Sequence, residues 1–247
     1  MNSQIKSVWP FLSILTSMIV IQSGASLAKT LFPIVGPAGT TSLRLFFSMI
    51  ILLVVFRPWR TRVSKSQLKT LAFYGFFLGG MNYLFYLSIA RIPLGIAVAL
   101  EFTGPLAVAL LASKRALDFL WVLLAVVGLF CLLPLTELAA PLDLWGIFFA
   151  LAAGACWAGY ILFGQKASLE NSGGVAVSVG MIFAALLVVP IGIVQVGTAL
   201  LTGPILLTGL AIAFLSSALP YSLEMIALKG LSRSTFSILM SLEPVFA

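Results

Sequence analysis

The sequence contains no histidine, and among its 247 residues it has only two aspartates and two cysteines. The lack of histidine removes imidazole as a general base, a metal ligand and a proton relay. The aspartates, Asp118 and Asp143, both flank apolar segments, which argues against an intramembrane pair of aspartates. The cysteines, Cys131 and Cys156, lie within apolar segments, where packed thiols are expected rather than a disulfide. The sequence therefore predicts neither a metal site nor a bound cofactor.

Charged residues of any kind are also scarce. They make up 9% of the chain, apolar residues make up 61%, and the mean hydropathy is +1.17. Soluble domains are about 25% charged and about 45–50% apolar, so this chain has too few polar residues to cover a water-exposed surface. In a bilayer the chain must form helices or a closed barrel. Apolar runs of about 20 residues favour helices, because barrel strands alternate over about 10 residues.

Apolar runs predict eight complete transmembrane helices and the start of a ninth. The first run is too long for the apolar core of a signal peptide, and only Lys6 precedes it as a basic residue. The fold class expected is therefore an all-α, multi-pass membrane protein. The helices are placed near residues 10–31, 37–56, 68–90, 94–113, 117–136, 144–166, 175–196 and 204–226, with the ninth starting near 233.

Lysines and arginines are concentrated at one end of these predicted helices. Only Lys29 and Arg91 lie at the opposite end. Short cytoplasmic loops are enriched in lysine and arginine, so we expect a cytoplasmic N-terminus. The same distribution argues against a nucleic-acid partner, despite the net charge of +7. Eleven of the fourteen basic residues share the end of Lys6, namely Lys6, Arg57, Arg60, Arg62, Lys65, Lys69, Lys114, Arg115, Lys166, Lys229 and Arg233.

Two segments of the chain resemble each other. Residues 81–108 and 219–247 align so that Tyr83 lies opposite Tyr221, 138 residues later. That offset contains five predicted helices, an odd number, so the second copy crosses the membrane in the opposite direction. The sequence therefore predicts an inverted repeat, an arrangement from which many transporters are built.

The repeat divides the chain into two units. The first five-helix unit is expected to span residues 1–138, and the second, truncated unit is expected to span residues 139–247. A complete protein of this kind has ten helices, and we expect this chain to end within the ninth, about 45 residues short of completion.

Polar side chains lie inside several predicted helices, where a charge costs about 2.5–3.5 kcal/mol on insertion scales. They recur at helical spacing, so the members of each group share a face. Alternatives stay open for three of them: Lys29 reaching surface water, the two glycines serving only helix packing, and Glu224 being solvated near its helix end. The groups are Gln22, Ser26 and Lys29; Thr40, Arg44 and Ser48; Gly75, Gly79, Asn82 and Tyr86; and Ser217, Pro220 and Glu224.

Glu101 is the most informative of the polar residues, because it is a lone carboxylate well inside a predicted helix. It is expected to bind an ammonium group or a proton, the alternative being a structural ion pair. Arg44 is predicted at the same depth, and an ion pair with Glu101 would relieve the cost of both charges; otherwise Arg44 reaches water alone. Prolines in both halves free a carbonyl one turn earlier and predict a shared central cavity; they are Pro105, Pro220 and Pro244.

Six segments make the chain resemble the EamA-type drug/metabolite transporters. The resemblance covers essentially the whole chain. It implies a ten-helix exporter of the bacterial inner membrane, built from two inverted EamA repeats around a central cavity. It further implies exchange of small amino acids, such as threonine and homoserine, for protons. The segments are GASLAK (24–29), LRL (43–45), GGMNYLFY (79–86), ALEFTGP (99–105), GACWA (154–158) and ALPYSLEM (218–225).

An amino-acid substrate requires a site for both of its charges. Its ammonium group needs an anionic partner and its carboxylate a cationic one. Glu101 or Glu243 is expected to provide the first, and Arg44, Lys29 or helix N-termini the second. The expected substrate-binding or coupling residues are Glu101, Arg44, Asn82, Tyr86, Lys29, Glu243 and Tyr221.

Other functions are less favoured by the sequence. No G-x-x-x-x-G-K-[ST] motif occurs, which excludes a fused ATPase of that type. An intramembrane enzyme needs a nucleophile with a base or a metal, and Ser26 with Lys29 offers only a coincidence of spacing. Export of another metabolite or drug, a channel, and a non-transporting membrane scaffold are the remaining alternatives. The expected partners are a small-molecule substrate, the lipid bilayer and protons.

Overall fold

The computed structural model describes residues 2–113, 116–131 and 142–243. Within these ranges every regular element is a helix. The first half contains α1 (Asn2–Ala28), α2 (Phe32–Phe56), a 3-10 turn (Pro58–Arg60), α3 (Lys65–Ile89), α4 (Leu94–Glu101), α5 (Thr103–Ala112) and α6 (Ala116–Cys131). The second half contains α7 (Leu144–Glu170), α8 (Gly173–Val196), a 3-10 turn (Gly197–Leu201), α9 (Gly203–Ala213), a π-helical turn (Phe214–Ala218), α10 (Leu219–Gly230) and α11 (Arg233–Met240).

The expectation of an all-helical membrane fold is confirmed over the described ranges. The 25-residue helix α3 is long enough to span a bilayer, but its polar and glycine residues leave it less apolar than the six stretches named below. The fifth predicted helix is described only to Cys131, and the expected boundary between the repeats lies outside the described residues. Six helical stretches are long and apolar enough to cross a membrane: Val8–Ala28, Phe32–Arg60, Leu94–Ala112, Leu144–Glu170, Gly173–Leu201 and Gly203–Gly230.

Polar side chains define where several helices begin. Ser64 and Gln67 form a capping box at the start of α3, each side chain accepting the other's backbone N–H. Asp143, Ser172 and Ser232 precede α7, α8 and α11, and each accepts a backbone N–H from the first turn. These caps satisfy donors that have no partner inside the helix, so each helix start is encoded locally.

Two of the predicted transmembrane helices are interrupted near a proline. The fourth is divided at Phe102, between α4 and α5, and Pro105 cannot donate to the carbonyl of Glu101 one turn earlier. The eighth contains the π-helical turn just before Pro220. Pro244 lies outside the described residues. The sequence indicated that these prolines disturb the helices, but not that one helix divides into two or that the other widens into a π turn.

Helices of the two halves pack in equivalent pairs. The helix α3 lies against α7 and α8, just as α9 and α10 lie against α1 and α2. The helix α2 packs along α8, and α5 packs on α11. Exchanging α1 with α7, α2 with α8, α3 with α9–α10, and α5 with α11 leaves this set of contacts unchanged. Such an exchange is what a two-fold relation between the halves requires.

Small residues allow α3 and α8 to approach closely. Gly75 faces the backbone carbonyl of Gly180, and a Cβ at Gly79 would lie 3.0 Å from the Cα of Ala184. A larger side chain at either position would push the helices apart. The two glycines therefore serve helix packing, one of the roles considered from the sequence.

Hydrogen bonds between residues near helix ends show which ends lie on the same side of the bundle. Gln67 donates to the carbonyl of Glu170 at 2.7 Å, and Gln165 donates to the carbonyl of Leu231 at 3.1 Å while accepting from Arg233. The start of α3, the end of α7 and the α10–α11 loop therefore meet at one end, which we call the basic end. The Arg91–Asp143 ion pair, at 3.2 Å, joins the α3–α4 loop to the start of α7 at the opposite end.

Candidate functional site

A cavity of about 150 Å³ lies between the two halves of the bundle. It is lined by α1, α2, α3, α4, α7, α10, the α11 segment and the α1–α2 connection. Its deep part contains the buried Asn82 and Glu224, and its mouth contains the exposed Ser26 and Lys29, at the end of the bundle opposite the basic end. All seven residues expected to bind or couple line this one cavity: Lys29, Arg44, Asn82, Tyr86, Glu101, Tyr221 and Glu243.

Arg44 is held by hydrogen bonds from three helical segments, although only 5% of it is exposed. Its Nε donates to Ser217 Oγ, and its Nη1 donates to the hydroxyl of Tyr86 at 3.0 Å. Its Nη2 donates to the carbonyl of Ser216 at 2.6 Å and to the hydroxyl of Tyr221 at 3.1 Å. The guanidinium is therefore fixed in one orientation beside the cavity.

The proline of α10 explains part of this arrangement. Pro220 has no N–H, so the carbonyl of Ser216 lacks its α-helical donor, and Arg44 donates to it instead. A guanidinium has five N–H donors, and four hydrogen bonds are made, which leaves one N–H on Nη1. Within the described residues no carboxylate forms an ion pair with Arg44. One donor and the positive charge are thus left for a ligand.

Asn82 and Tyr221 connect α3 to α10 beside this arginine. Asn82 Nδ2 donates to the carbonyl of Leu78 at 2.8 Å and lies 2.9 Å from the Tyr221 hydroxyl, which donates to Asn82 Oδ1 at 3.1 Å. The rings of Tyr86 and Tyr221 lie 5.7 and 6.0 Å from the guanidinium carbon of Arg44, close enough for cation–π attraction. These contacts give the deep part of the cavity a defined polar wall.

Glu101 is the last residue of α4, and only 7% of it is exposed. Its side chain lines the cavity beside Phe102 and Trp157, whose rings meet edge to face with centroids 4.8 Å apart. Among the described residues, none donates a hydrogen bond to the Glu101 carboxylate or forms an ion pair with it. An unpaired carboxylate at this depth is costly in its charged form, so this group is available to a cationic ligand or a proton.

The expected ion pair between Arg44 and Glu101 is wrong. Both residues lie in the described part of the chain and both line the cavity, but their charged groups do not come within ion-pair distance. Arg44 is instead satisfied by hydroxyl and carbonyl oxygens. The prediction rested on equal depth along two helices, and depth does not determine which faces of the helices meet.

The polar stripe of α1 lines the mouth of the cavity. Lys29 directly follows α1 and is exposed, so it reaches water, which was one of the interpretations left open from the sequence. It also borders the cavity. Deeper along the same face, Gln22 Nε2 donates to Glu243 Oε1 at 3.2 Å. This bond joins α1 to the segment that follows α11.

The structure decides between the alternatives left open for Glu224. Solvation near its helix end was one of them, but only 2% of the residue is exposed. Ser17 Oγ donates to its Oε1 at 2.9 Å, and the Tyr160 hydroxyl donates to its Oε2 at 2.6 Å. The neighbouring helices α1 and α7 cover this part of α10, so the position of Glu224 in the sequence did not indicate its burial.

Sequence reasoning missed Tyr160, Ser17 and Trp157 as neighbours of the cavity. One signal for Tyr160 was present, because it lies 138 residues after Gln22, the offset of the internal repeat. No pattern in the sequence distinguished Ser17 from other serines in apolar helices. Cys156 is half-buried with a free thiol, whereas the side chain of Cys131 lies outside the described residues.

The exposed end of α7 provides a contrasting ionic contact. The pKa of Asp143 lies below the usual aspartate range because the backbone N–H of Trp145 donates to its carboxylate, an effect that the Arg91 guanidinium reinforces. The pair lies outside the membrane-spanning helices. In the described ranges, no three side chains of the kinds that ligate metals come together.

Comparison with known proteins identifies relatives of this chain. The EamA-like transporter family matches residues 144–247. Over 97% of its length, the chain is 60% identical to the threonine/homoserine exporter RhtA of Salmonella typhimurium (strain SL1344) and covers 81% of that protein. It is 58% identical, over the same shares, to the threonine/homoserine exporter RhtA of Escherichia coli (strain K12).

A solved crystal structure of a protein has a similar fold. The two superpose with a TM-score of 0.76, and the alignment covers 98% of this chain and 85% of the other. Only 16% of the aligned residues are identical, so this similarity concerns the fold alone.

Proposed function

This chain belongs to the EamA-like transporter family, and we propose that it exports threonine, homoserine and amino acids of similar size from the cytoplasm. It is a multi-pass membrane transporter and not an enzyme. The substrates are those in the names of relatives that share 58–60% of its residues. The observation that supports this function is that Arg44 and Glu101 line the same cavity. Their charges are opposite, and neither forms an ion pair with a described residue.

The two charges suit the two ends of a zwitterion. With respect to the described residues, Arg44 has one free N–H and no ion-pair partner for its positive charge, and both suit the substrate carboxylate. Glu101 has no donor among the described residues and suits the substrate ammonium group. A bound amino acid would neutralise both charges, and the hydroxyls beside them offer partners for a substrate hydroxyl.

The size of the cavity favours a small substrate. A single water needs about 10–15 Å³ on the same scale, so a cavity of about 150 Å³ holds about ten times that volume. Phe102 and Trp157 close one side of it. A small amino acid with a few waters fits this space, whereas a drug-sized molecule would require the helices to separate.

The distribution of charge supports an orientation of the chain in the membrane. The basic end is the end where Gln67 bonds to Glu170 and Gln165 bonds to Arg233, and basic loops favour the cytoplasm. On this ground we propose that the N-terminus lies on the cytoplasmic side of a bacterial inner membrane and that the mouth of the cavity faces the periplasm. The proton gradient is the proposed driving force, since the chain has buried carboxylates and no P-loop motif.

Two inverted repeats, residues 1–138 and 139–247, are the proposed architecture behind alternating access. The support is the set of paired helix contacts that an exchange of the halves leaves unchanged. In transporters of this kind, substrate binds between the repeats and one repeat moves against the other.

Efflux of labelled amino acids tests the function. Cells that express the protein should release labelled threonine and homoserine faster than cells without it, with a rate that saturates. Lysine and aspartate serve as controls, because each carries a side-chain charge that threonine and homoserine lack. Release that does not saturate would indicate a channel, and release no faster than in the control cells would refute the proposal.

Cysteine labelling tests the orientation separately. Ser66→Cys, in the basic end of α3, should react only with reagents that enter the cytoplasm, and Thr198→Cys should react with impermeant reagents added outside. The reverse pattern would refute both the orientation and the proposed direction of the cavity.

A further inference from the structure

Glu224 lies at the deep end of the cavity, in a setting unlike that of Glu101. Both of its carboxylate oxygens already accept a hydrogen bond, one from Ser17 and one from Tyr160. It is 2% exposed and borders the cavity. No lysine or arginine in the described ranges forms an ion pair with it. The site therefore has access from the cavity but no cation that would fix the carboxylate in its charged form.

The ionisable groups around Glu224 come from five helical segments. They are Tyr160 on α7, Tyr74 on α3, Tyr221 on its own helix, Arg44 on α2 and Glu243 after α11. The described side chains of α1, and those of α8 and α9, contribute polar or apolar groups but no ionisable ones. Among the described residues, Arg44 is a cation close enough to act on Glu224, but its hydrogen bonds go to hydroxyl and carbonyl oxygens.

A second hydroxyl lies beyond Tyr160, deeper in the bundle. Tyr74 is fully buried, and no described residue forms a hydrogen bond with its hydroxyl. Its ring lies 5.4 Å from the ring of Tyr160. Both tyrosines are nearer the basic end than the mouth of the cavity is, since α3 begins and α7 ends there. Two neighbouring tyrosine rings thus extend from Glu224 away from the mouth.

We propose that Glu224 binds the coupling proton, at a site separate from the charges of Arg44 and Glu101 that bind the substrate. This inference rests on the proposed function as an exporter. In one step, a proton from cavity water adds to a carboxylate oxygen of Glu224 and forms a neutral carboxyl. In the reverse step, that proton leaves to water on the cytoplasmic side after the helices have moved.

The hydrogen-bond partners suit both forms of the group. The hydroxyls of Ser17 and Tyr160 donate to the charged carboxylate, and a hydroxyl also accepts from a neutral carboxyl. Glu101 has no such partners among the described residues, and so its charge is left for an ammonium group. The sequence left two roles open for Glu101, binding an ammonium group or binding a proton. In this proposal Glu101 has the first role and Glu224 has the second.

The test uses purified protein in liposomes and two assays. Counterflow measures exchange of labelled for unlabelled threonine without a proton gradient, and the second assay measures the acceleration that an imposed pH gradient causes. We expect Glu224→Gln to retain counterflow and lose the acceleration, and Glu101→Gln to lose both. Asp143→Asn, at the exposed end of α7, is the matched carboxylate control and should retain both.

The outcomes separate this inference from the proposed function. If the wild-type protein shows no counterflow of threonine or homoserine, the proposed function fails. If it shows counterflow but Glu224→Gln still responds to the gradient, or loses counterflow at normal abundance, then Glu224 is not the proton site and the proposed function is unaffected.

A second variant keeps the proposal testable if Glu224→Gln does not fold. Tyr160→Phe removes one donor to the carboxylate and leaves the number of charges unchanged. Because that donor favours the charged form, its removal should move the pH of half-maximal gradient-driven transport upward while counterflow persists. An unchanged pH profile would overturn the proposal.

Discussion

Arg44 and Glu101 are opposite charges in the same cavity, buried to a similar degree and surrounded differently. Arg44 makes four hydrogen bonds to three helical segments, whereas Glu101 has none from the described residues. The depth of a charge in the membrane therefore does not reveal whether it supports the fold. Its neighbours do: Arg44 lines the cavity and also joins helices through hydrogen bonds, whereas Glu101 lines the cavity without a side-chain hydrogen bond to the described residues. Variants of the two residues should separate stability from transport.

The largest effect is expected for Arg44→Gln. The change leaves the Ser216 carbonyl and several hydroxyls without their donor, at about 1–3 kcal/mol for each buried unsatisfied group. Both the amount of protein in the membrane and the efflux rate should fall strongly, as measured by immunoblot and by release of labelled threonine. Arg91→Gln, at an exposed ion pair, is the control and should be close to wild type. Normal abundance of Arg44→Gln would show that its hydrogen bonds do not stabilise the fold.

Glu101→Gln should impair transport without loss of protein. The change preserves the side-chain volume and removes a charge that forms no ion pair with a described residue. The amount of protein in the membrane should therefore stay near wild type. A lost charge-assisted hydrogen bond of about 1.5–3 kcal/mol corresponds to about a tenfold or larger fall in efflux of labelled threonine. Glu170→Gln, at the end of α7 away from the cavity lining, is the matched control. Normal export by Glu101→Gln would mean that this glutamate does not bind the substrate.

The double variant Arg44→Gln with Glu101→Gln tests whether the two residues stabilise the fold independently. Residues without direct contact usually give additive changes in stability, so the double variant should have about the abundance of Arg44→Gln alone. An abundance well above that of the single Arg44 variant would reveal the ion pair that the structure lacks. Quantitative immunoblots of the four proteins provide the complete cycle.

A smaller effect is expected for Tyr86→Phe. This change removes one of the four hydrogen bonds of Arg44 and keeps the ring, so it should cost about 0.5–1.5 kcal/mol. Thermal unfolding in detergent should show a modest decrease in midpoint, with partly reduced efflux. Tyr83→Phe, on the same helix but outside the cavity lining, is the control. Equal midpoints for the two variants would indicate that Tyr86 contributes nothing through Arg44.

The smallest effect is expected at Asp143, outside the membrane. Its lowered pKa means that the carboxylate stabilises the fold above the ordinary aspartate pKa of about 3.9, and that this stabilisation is lost as the pH falls through the lower value in the folded protein. Asp143→Asn should therefore lower the unfolding midpoint slightly at neutral pH. The difference from wild type should vanish in acid, and a difference independent of pH would contradict the assignment to charge.

Local sequence patterns were enough to predict the positions of the long helices and several residues that line the cavity. Apolar runs located the membrane helices because a bilayer of fixed thickness requires them. Arg44, Asn82 and Glu101 were identified because polar groups in apolar helices are costly and must have a reason. The division at Phe102 was not foreseen, because a proline removes a donor but the bend that results depends on neighbours such as Gly154.

The sequence by itself determined the membrane location of this protein, its helical fold and seven of the residues that line the cavity, since these depend on composition, run length and spacing along single helices. Only the tertiary structure decided which of these residues meet. It paired Arg44 with tyrosines, serine and a freed carbonyl instead of Glu101, and it buried Glu224 between Ser17 and Tyr160. The physical reason is that partners come from helices far apart in the chain, and the rotation of one helix against another is set by the packing of whole faces.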